Sequence, residues 1–172
     1  MTVQPHGGAP RVGMVGAGQL ARMTHQAGIS LGLSLRVLAA APDDGAALVA
    51  RDVQVGRPDS FEALEAFAAG CDVVTFDHEL VDTRQLAQLE AAGRRVRPSA
   101  ATVAVAQDKG RQRTLFAERG LPVPPFRRVA GLADLTAFAA EHGWPVVAKA
   151  CRGGYDGRGV WVVSSPEQAA KL

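Results

Sequence analysis

The chain alternates short apolar runs with longer segments in which apolar residues recur every three or four positions. Short apolar runs are typical of buried parallel strands, and the longer spacing is typical of helices with one face in a core. The pattern predicts strands at Arg11–Val15, 35–38, 53–55, Val73–Phe76 and 95–97, and helices at 19–31, Phe61–Ala69 and 83–92. This alternation predicts an α/β domain over residues 11–98, with a parallel sheet and helices on both faces.

After residue 98 the regular alternation of strand and helix patterns ends. We expect a linker helix at 99–106 and a second domain over 107–172, after a flexible N-terminus at 1–10. The second domain has predicted helices at 108–119 and Leu132–His142 and predicted strands at 126–129, 145–150 and Val160–Val163. Residues 120–125, GLPVPP, predict an extended connector because proline fixes φ and disfavours helix in the residue before it. The glycine-rich segment 153–159 joins two strands directly, which predicts a hairpin.

Composition narrows the classes of function. The formal net charge is +2 and the basic residues are dispersed, which argues against a nucleic-acid partner. The hydrophobic content of 47% suits a globular core, and the longest apolar segments are too short or too interrupted to span a membrane. Cys71 and Cys151 lie far apart and have no metal-ligand spacing, so we expect free thiols and a cytoplasmic protein.

The first candidate site is the stretch VGAGQLARM at 15–23, where a strand turns into a helix. Glycines before a helix leave backbone N–H groups and a positive dipole end available to an anion. NAD would also need an acidic residue at the end of the second strand, about 20 residues on. Asp43 and Asp44 follow Pro42 and fit a turn better. A phosphate-bearing ligand and glycines that serve only close packing both remain open, and NAD is disfavoured.

The second candidate site is the stretch KACRGGYDGRG at 149–159. Lys149 ends a strand, and four glycines and Arg158 follow. Glycine backbones can approach a polyphosphate closely while cations balance its charge, so the pattern predicts a phosphate-covering loop. A mobile hairpin turn is the alternative. The chain has only three lysines among 19 basic residues, Lys109, Lys149 and Lys171.

Several motifs in order resemble one family. They are VGAGQLARM, VVTFDHE at 73–79, AQDKGRQR at 106–113, GLPVPPF at 120–126 and VAKACRGGYDGRGVWVV at 147–163. Together they are similar to N5-carboxyaminoimidazole ribonucleotide synthetase, a purine-biosynthetic ATP-grasp family. The resemblance implies a Rossmann-like (pre-ATP-grasp) parallel-sheet domain followed by the small lobe of an ATP-grasp domain. It also implies ATP-dependent carboxylation of 5-aminoimidazole ribonucleotide by bicarbonate through carboxyphosphate.

The resemblance implies roles for individual residues. Implied ATP-binding residues are Lys109, Lys149, Gly154, Tyr155, Asp156, Gly157, Arg158, Gly159 and Val160. Implied substrate-binding residues are Gly18, Gln19, Leu20, Glu79, Tyr155, Asp156 and Arg158. Implied catalytic residues are Glu79, Asp156 and Arg158.

The chain departs from the family in three ways. The family often has Gly-Gly-Gly-Gln-Leu-Gly in the first loop, where Ala17 and Ala21 replace two of the glycines here. The usual Phe-Glu-x-Glu is Phe76-Asp77-His78-Glu79 here, so the first acid is shorter and an imidazole separates the two acids. Family members also continue past the position of Leu172, where we expect the Mg²⁺ ligands, so the 172 residues alone should turn over poorly. The resemblance implies a homodimer at full length. The alternatives are another ATP-grasp ligase or carboxylase, and a nucleotide-binding module without catalysis.

Overall fold

A computed structural model describes residues 10–154 and 157–172. The chain divides into two compact units, Met1–Ala104 and Val105–Leu172. The expectation for the N-terminus falls almost wholly outside the described residues, as do the roles implied for Tyr155 and Asp156.

The first unit contains a four-stranded sheet. Its strands are β1 (Arg11–Val15), β2 (Ser34–Ala39), β3 (Asp52–Val55) and β4 (Val73–Phe76). All pairings are parallel, in the order β3-β2-β1-β4. Val15 at the end of β1 is in register with Leu38 of β2 and Phe76 of β4. The carboxyl ends of the two central strands and of β4 therefore lie at one edge of the sheet.

Helices cover both faces of this sheet, as the alternation predicted. They are α1 (Gln19–Ser30), α2 (Phe61–Ala69), α3 (Thr83–Ala91) and α4 (Ala100–Ala106). Successive residues of β2 enter different cores: Val37 packs with Ala21 of α1, and Leu38 packs with Phe67 of α2. The second of these cores also buries Ala100 and Val103 of α4. None of the helices in the described part is both long and apolar enough to cross a bilayer.

The strand predicted at 95–97 is reduced to a single bridge. Val96 pairs in parallel with Val74, and the backbone of Val74 bonds with Arg95 and Arg97. Pro98 follows at once in a cis peptide bond and has no N–H to donate, so the ladder ends there.

The second unit is built around a hairpin. It contains α5 (Lys109–Glu118), α6 (Leu132–His142), β5 (Val146–Lys149), β6 (Val160–Val163) and α7 (Pro166–Ala169). β5 and β6 pair antiparallel, which confirms the predicted hairpin. Its small core consists of Leu135, Ala139, Val146, Val163 and Ala169.

The strand predicted at 126–129 is wrong, since these residues form no ladder. Pro124 and Pro125 just before it lack N–H donors, and side-chain contacts hold the segment instead. The guanidinium of Arg127 donates to Glu141 Oε2 at 2.8 Å and lies 5.7 Å from the centre of the Phe138 ring. The apolar residues that suggested a strand are therefore part of an exposed connector beside α6.

Candidate functional site

The first glycine loop lies next to the acidic segment that follows β4. Because Val15 and Phe76 are in register, the loop at residues 16–18 and the segment at residues 77–79 leave the same edge of the sheet. Gly16 has a φ of +106°, and a Cβ built on it would overlap Asp77 Oδ1. A Cβ on Gly18 would lie 3.7 Å from Asp77 Oδ2. The structure therefore brings Asp77 against the loop that begins α1.

Asp77 is buried in an unusual way for a carboxylate. Its side chain is 4% exposed, and Oδ1 has no hydrogen-bond partner among the described residues. The nearest cationic candidate is His78, whose Nε2 lies 3.7 Å from Oδ1 and carries charge only when protonated. A buried acceptor without a donor costs free energy. This oxygen is therefore suited to a hydrogen-bond donor supplied by a ligand.

The residues predicted to bind substrate in this unit are at the same edge. Gly18 is the N-cap of α1 and offers no side-chain cap, while Gln19 and Leu20 form the exposed start of the helix. Glu79 is exposed in the segment after β4. Because Asp77 already places a carboxylate beside the helix start, a second anion there would meet like-charge repulsion. A donor-rich part of a ligand fits this position better than a phosphate.

The acids that NAD would require have another role here. Asp44 Oδ2 accepts the backbone N–H of Ala41 at 3.0 Å, and the N–H of Asp44 donates to the Ala41 carbonyl at 3.3 Å. These bonds close the turn after β2, as proposed from Pro42. The Asp44 carboxylate therefore stabilises a turn at the end of β2.

Gly16→Ala should destabilise the first unit more than Gly32→Ala does. Both glycines have positive φ, which costs an alanine about 1–2 kcal/mol. Only at Gly16 does the new methyl group also overlap a carboxylate, since nothing lies within 4 Å of a Cβ on Gly32. Urea unfolding followed by circular dichroism measures the difference. Equal losses in the two variants would show that the Asp77 carboxylate moves aside freely.

In the second unit, the loop between β5 and β6 is shaped by its glycines. Gly153, Gly157 and Gly159 have φ values of +73°, +79° and +70°, which L side chains rarely adopt. A Cβ on Gly154 would lie 2.8 Å from the Arg158 carbonyl oxygen, and one on Gly159 would lie 3.3 Å from Gly154 Cα. The two limbs of the loop thus pack backbone against backbone. This shape requires glycine at these positions.

Two of the three lysines lie at this loop. The Lys109 ammonium, at the first residue of α5, donates to the Gly154 carbonyl at 2.8 Å. Lys149 ends β5 opposite Val160, is exposed, and makes no hydrogen bond or ion pair within the described ranges 10–154 and 157–172. Among the described residues, the Lys149 ammonium at the entrance of the loop therefore has no partner, whereas the Lys109 ammonium donates to the loop backbone.

The outer face of the hairpin is apolar next to Lys149. Val146 and Val163 face the core, so the alternating positions Val147, Val162 and Val160 share the opposite face with Lys149. Val147, Val160 and Val162 are 55%, 38% and 66% exposed. An apolar face that ends in an ammonium suits a ligand with a flat apolar ring and an anionic chain. Gly157 and Arg158 are exposed in the same loop.

Asp108 is a residue of this region that the sequence analysis did not single out. It is the N-cap of α5, and its Oδ1 accepts the Arg111 N–H at 2.9 Å. Its Oδ2 accepts from Arg152 Nε at 3.3 Å. The Arg111 N–H first, and the guanidiniums of Arg152 and Arg128 after it, hold the pKa of Asp108 below its ordinary value of 3.8 although burial acts the other way. An aspartate one residue before a helical pattern is the signal that predicts the cap, but not the pairing with Arg152.

No group of three histidine, cysteine, aspartate or glutamate side chains within residues 10–154 and 157–172 is placed to hold a metal ion. Cys71 and Cys151 are both unpaired. Burial raises the pKa of the Cys71 thiol, which keeps it neutral.

Comparison with known proteins identifies the family of the first unit. Residues 10–107 match the family described as the ribonucleotide synthetase preATP-grasp domain. The chain belongs to the ribonucleotide synthetase preATP-grasp family. Residues 114–172 match the ATP-grasp domain. We refer to residues 10–104 as the preATP-grasp unit and to the described residues from 105 to 172 as the ATP-grasp unit.

Individual relatives agree with this assignment. The N5-carboxyaminoimidazole ribonucleotide synthase of Mycobacterium tuberculosis is 49% identical over 152 residues, which are 88% of this chain and 35% of the relative. The solved synthetase of Thermotoga maritima has a TM-score of 0.80 at 31% identity and covers 95% of this chain, which spans 43% of it. The Aspergillus clavatus synthase solved with ADP and 5-aminoimidazole ribonucleotide has a TM-score of 0.81 at 27% identity, with 95% and 43% coverage.

These matches confirm the resemblance and the fold class predicted from the sequence. The chain spans less than half the length of the relatives it matches. A preATP-grasp sheet followed by the beginning of an ATP-grasp domain is therefore its architecture.

Proposed function

We propose that the chain supplies the substrate-side and phosphate-covering parts of an ATP-dependent ligase. The reaction carboxylates the exocyclic amine of 5-aminoimidazole ribonucleotide with bicarbonate, releases ADP and phosphate, and belongs to purine biosynthesis. The observation that carries the proposal is the arrangement of Lys149, Lys109 and the glycine hairpin loop, in a chain 49% identical over 152 residues to a named synthase.

The phosphate chain of ATP is assigned to the ATP-grasp unit. Lys149 is exposed at the end of β5 and its ammonium has no partner in the part of the chain that the structure describes; an ammonium suits a phosphate oxygen as a compact point charge. Val147, Val160 and Val162 offer an apolar face beside it for the purine ring. Lys109, Gly154, Gly157, Arg158 and Gly159 would line the phosphates from the loop side, together with Tyr155 and Asp156.

The ribonucleotide is assigned to the edge of the preATP-grasp sheet. Gly18, Gln19 and Leu20 would contact it from α1, and Glu79 from the segment after β4. Oδ1 of Asp77, which has no hydrogen-bond partner among the described residues, favours a hydroxyl or amine at this place. Glu79, Asp156 and Arg158 remain the proposed catalytic residues: Glu79 would accept the amine proton, and Arg158 would stabilise the anionic carboxyl group that is transferred.

The proposed carboxylation has two steps. A bicarbonate oxygen attacks the γ-phosphorus, giving carboxyphosphate and ADP. The amine then attacks the carboxyl carbon, and phosphate leaves as the amine loses a proton. Mg²⁺ supplies charge stabilisation to phosphates in ATP-grasp enzymes, and we propose that its ligands lie in sequence beyond Leu172. For the full-length enzyme we also propose a homodimer and a cytoplasmic location.

The test is an ADP-release assay with bicarbonate and 5-aminoimidazole ribonucleotide, run on this chain and on a version extended through the rest of the ATP-grasp domain. ADP release by the extended version that depends on both co-substrates supports the proposal. ADP release stimulated by a different amine would favour another ligase of the fold. Ribonucleotide binding with no ADP release by the extended version would favour a binding module without catalysis.

Glu79→Ala should weaken binding of 5-aminoimidazole ribonucleotide by about tenfold to a hundredfold and leave ATP binding unchanged, because a hydrogen bond to a charged group contributes about 1.5–3 kcal/mol. Isothermal titration calorimetry with each ligand measures both affinities. Glu65→Ala is the matched control, since Glu65 is an exposed acid on α2. A Glu79 variant that binds the ribonucleotide as tightly as the wild type would remove Glu79 from the substrate site.

A further inference from the structure

Asp108 is a buried charged residue for which the proposed reaction has no use. The residue is 9% exposed, and its side chain is 12% exposed. The role of one carboxylate oxygen is clear: Oδ1 caps α5 by accepting the Arg111 N–H. A cap of this kind needs no negative charge, since asparagine caps helices about as well as aspartate.

The charge of Asp108 faces guanidinium groups from two other segments. Oδ2 accepts from Arg152 Nε at 3.3 Å, and Arg152 is the residue before the glycine loop. Arg128 of the extended connector lies nearby, since a Cβ on Gly110 would lie 3.2 Å from Arg128 Nε and 3.3 Å from Asp108 Oδ1. The carboxylate thus joins the start of α5, the connector and the root of the loop.

The same junction ties the loop to Lys109. The Lys109 N–H donates to the Cys151 carbonyl at 2.8 Å, and the Lys109 ammonium donates to the Gly154 carbonyl at 2.8 Å. Across the hairpin, the Ala150 N–H donates to the Gly159 carbonyl at 2.8 Å. Lys109 is the residue after Asp108, so any shift of Arg152 or Cys151 relative to α5 changes where the ammonium lies in the loop.

We propose that Asp108 is a positioning residue: through its ion pair with Arg152 it fixes the root of the glycine loop against α5, so that Lys109 faces the phosphate chain of the nucleotide. The ligand in this inference rests on the proposed function. The fixing of the loop does not, and it is measurable without any ligand.

The test is Asp108→Asn in the 172-residue chain. Asparagine keeps the helix cap but removes the charge that pairs with Arg152. We expect NMR to show faster amide hydrogen exchange at Lys109 and Ala150. We also expect ATP affinity to be weakened by about threefold to tenfold, because the variant loses one charge-assisted bond to a partly exposed partner. Arg152→Gln should reproduce both effects, and the double variant should lose no more than either single one because the two changes break one pair.

Asp82→Asn is the matched control, because Asp82 caps α3, accepts the Arg84 N–H and pairs with Arg84. It should leave exchange in the loop and ATP affinity unchanged. Exchange at Lys109 and Ala150 equal to wild type in Asp108→Asn would overturn the proposal, and a purely capping role would give that result. Should Asp108→Asn fail to fold, Arg152→Gln decides, since that side chain is 63% exposed. A wild-type chain that binds no ATP would contradict the proposed function and leave the exchange comparison as the deciding measurement.

Discussion

Phe67→Ala is expected to lower the free energy of unfolding of the preATP-grasp unit by about 3–5 kcal/mol, the cost of removing a buried aromatic ring and leaving a cavity. Phe67 is 0% exposed and is among the largest fully buried side chains. It packs with Leu38, Leu64 and Val74, which come from two strands and from α2 itself. The ring therefore links the helix layer to the centre of the sheet.

Two further contacts add to the cost at Phe67. The Arg36 guanidinium carbon lies 5.3 Å from the ring centre, a cation–π contact, and a Cβ on Gly13 would lie 2.8 Å from Phe67 Cε1. Gly13 has no Cβ, so the ring approaches the central strand closely, and small neighbours there cannot fill the space that alanine leaves. Urea unfolding followed by circular dichroism measures the change.

Phe126→Ala is the control for this prediction. It removes the same ring from a side chain that is 37% exposed, in the connector before α6, and should lower the free energy of unfolding by about 1–2 kcal/mol, because the ring is only partly buried and leaves no closed cavity. Similar losses in the two variants would mean that the core around Phe67 collapses to fill the cavity.

Lys149→Ala is expected to weaken ATP binding by about tenfold to a hundredfold, since a charge-assisted bond to phosphate contributes about 1.5–3 kcal/mol. The loss should be larger than for Lys109→Ala, because Lys109 must first give up its bond to the Gly154 carbonyl. Lys149 has no such bond to release within the described residues. The affinity of the Lys149→Ala variant for 5-aminoimidazole ribonucleotide should equal that of the wild type, since that ligand is assigned to the preATP-grasp unit.

Lys171→Ala is the matched control for charge, because it removes the remaining lysine, which follows α7 and its C-cap Ala170. It should leave ATP affinity within about twofold of wild type, the range of screened surface charges. Lys149→Arg should recover only part of the affinity if a compact ammonium is what the phosphate requires. Parallel losses of ATP and ribonucleotide affinity in Lys149→Ala would contradict the division of the two ligands between the units.

The sheet was predictable because its signals are local. The runs at Arg11–Val15 and Val73–Phe76 are mostly apolar, as is typical of buried parallel strands. The helices α2 and α3 begin at residues of the usual capping types, Ser60 and Asp82. The two errors in strand prediction concern segments that form a strand only if a neighbouring strand pairs with them. Residues 95–97 and 126–129 have strand-like composition, but a proline ends the first after one bridge and the second has no partner strand.

The site was predictable in part. The glycine loops and lysines stood out from their sequence, and the resemblance assigned them roles that stay predictions, as do the domain limits 11–98, 99–106 and 107–172. The burial of Asp77 was not visible in advance, because it depends on the register of β1 with β4. The pair of Asp108 with Arg152 depends on a contact between residues 44 positions apart. Pairing over such distances leaves no periodic signal in one sequence.

The exposed tryptophan on β6 gives the ATP-grasp unit its own optical reporter. Trp161 is 44% exposed and sits one residue after Val160, which pairs with Lys149, whereas Trp144 packs partly buried against the hairpin core. Acrylamide should quench the first indole far more than the second. The fluorescence of the exposed indole would then follow events at the mouth of the loop without any added label.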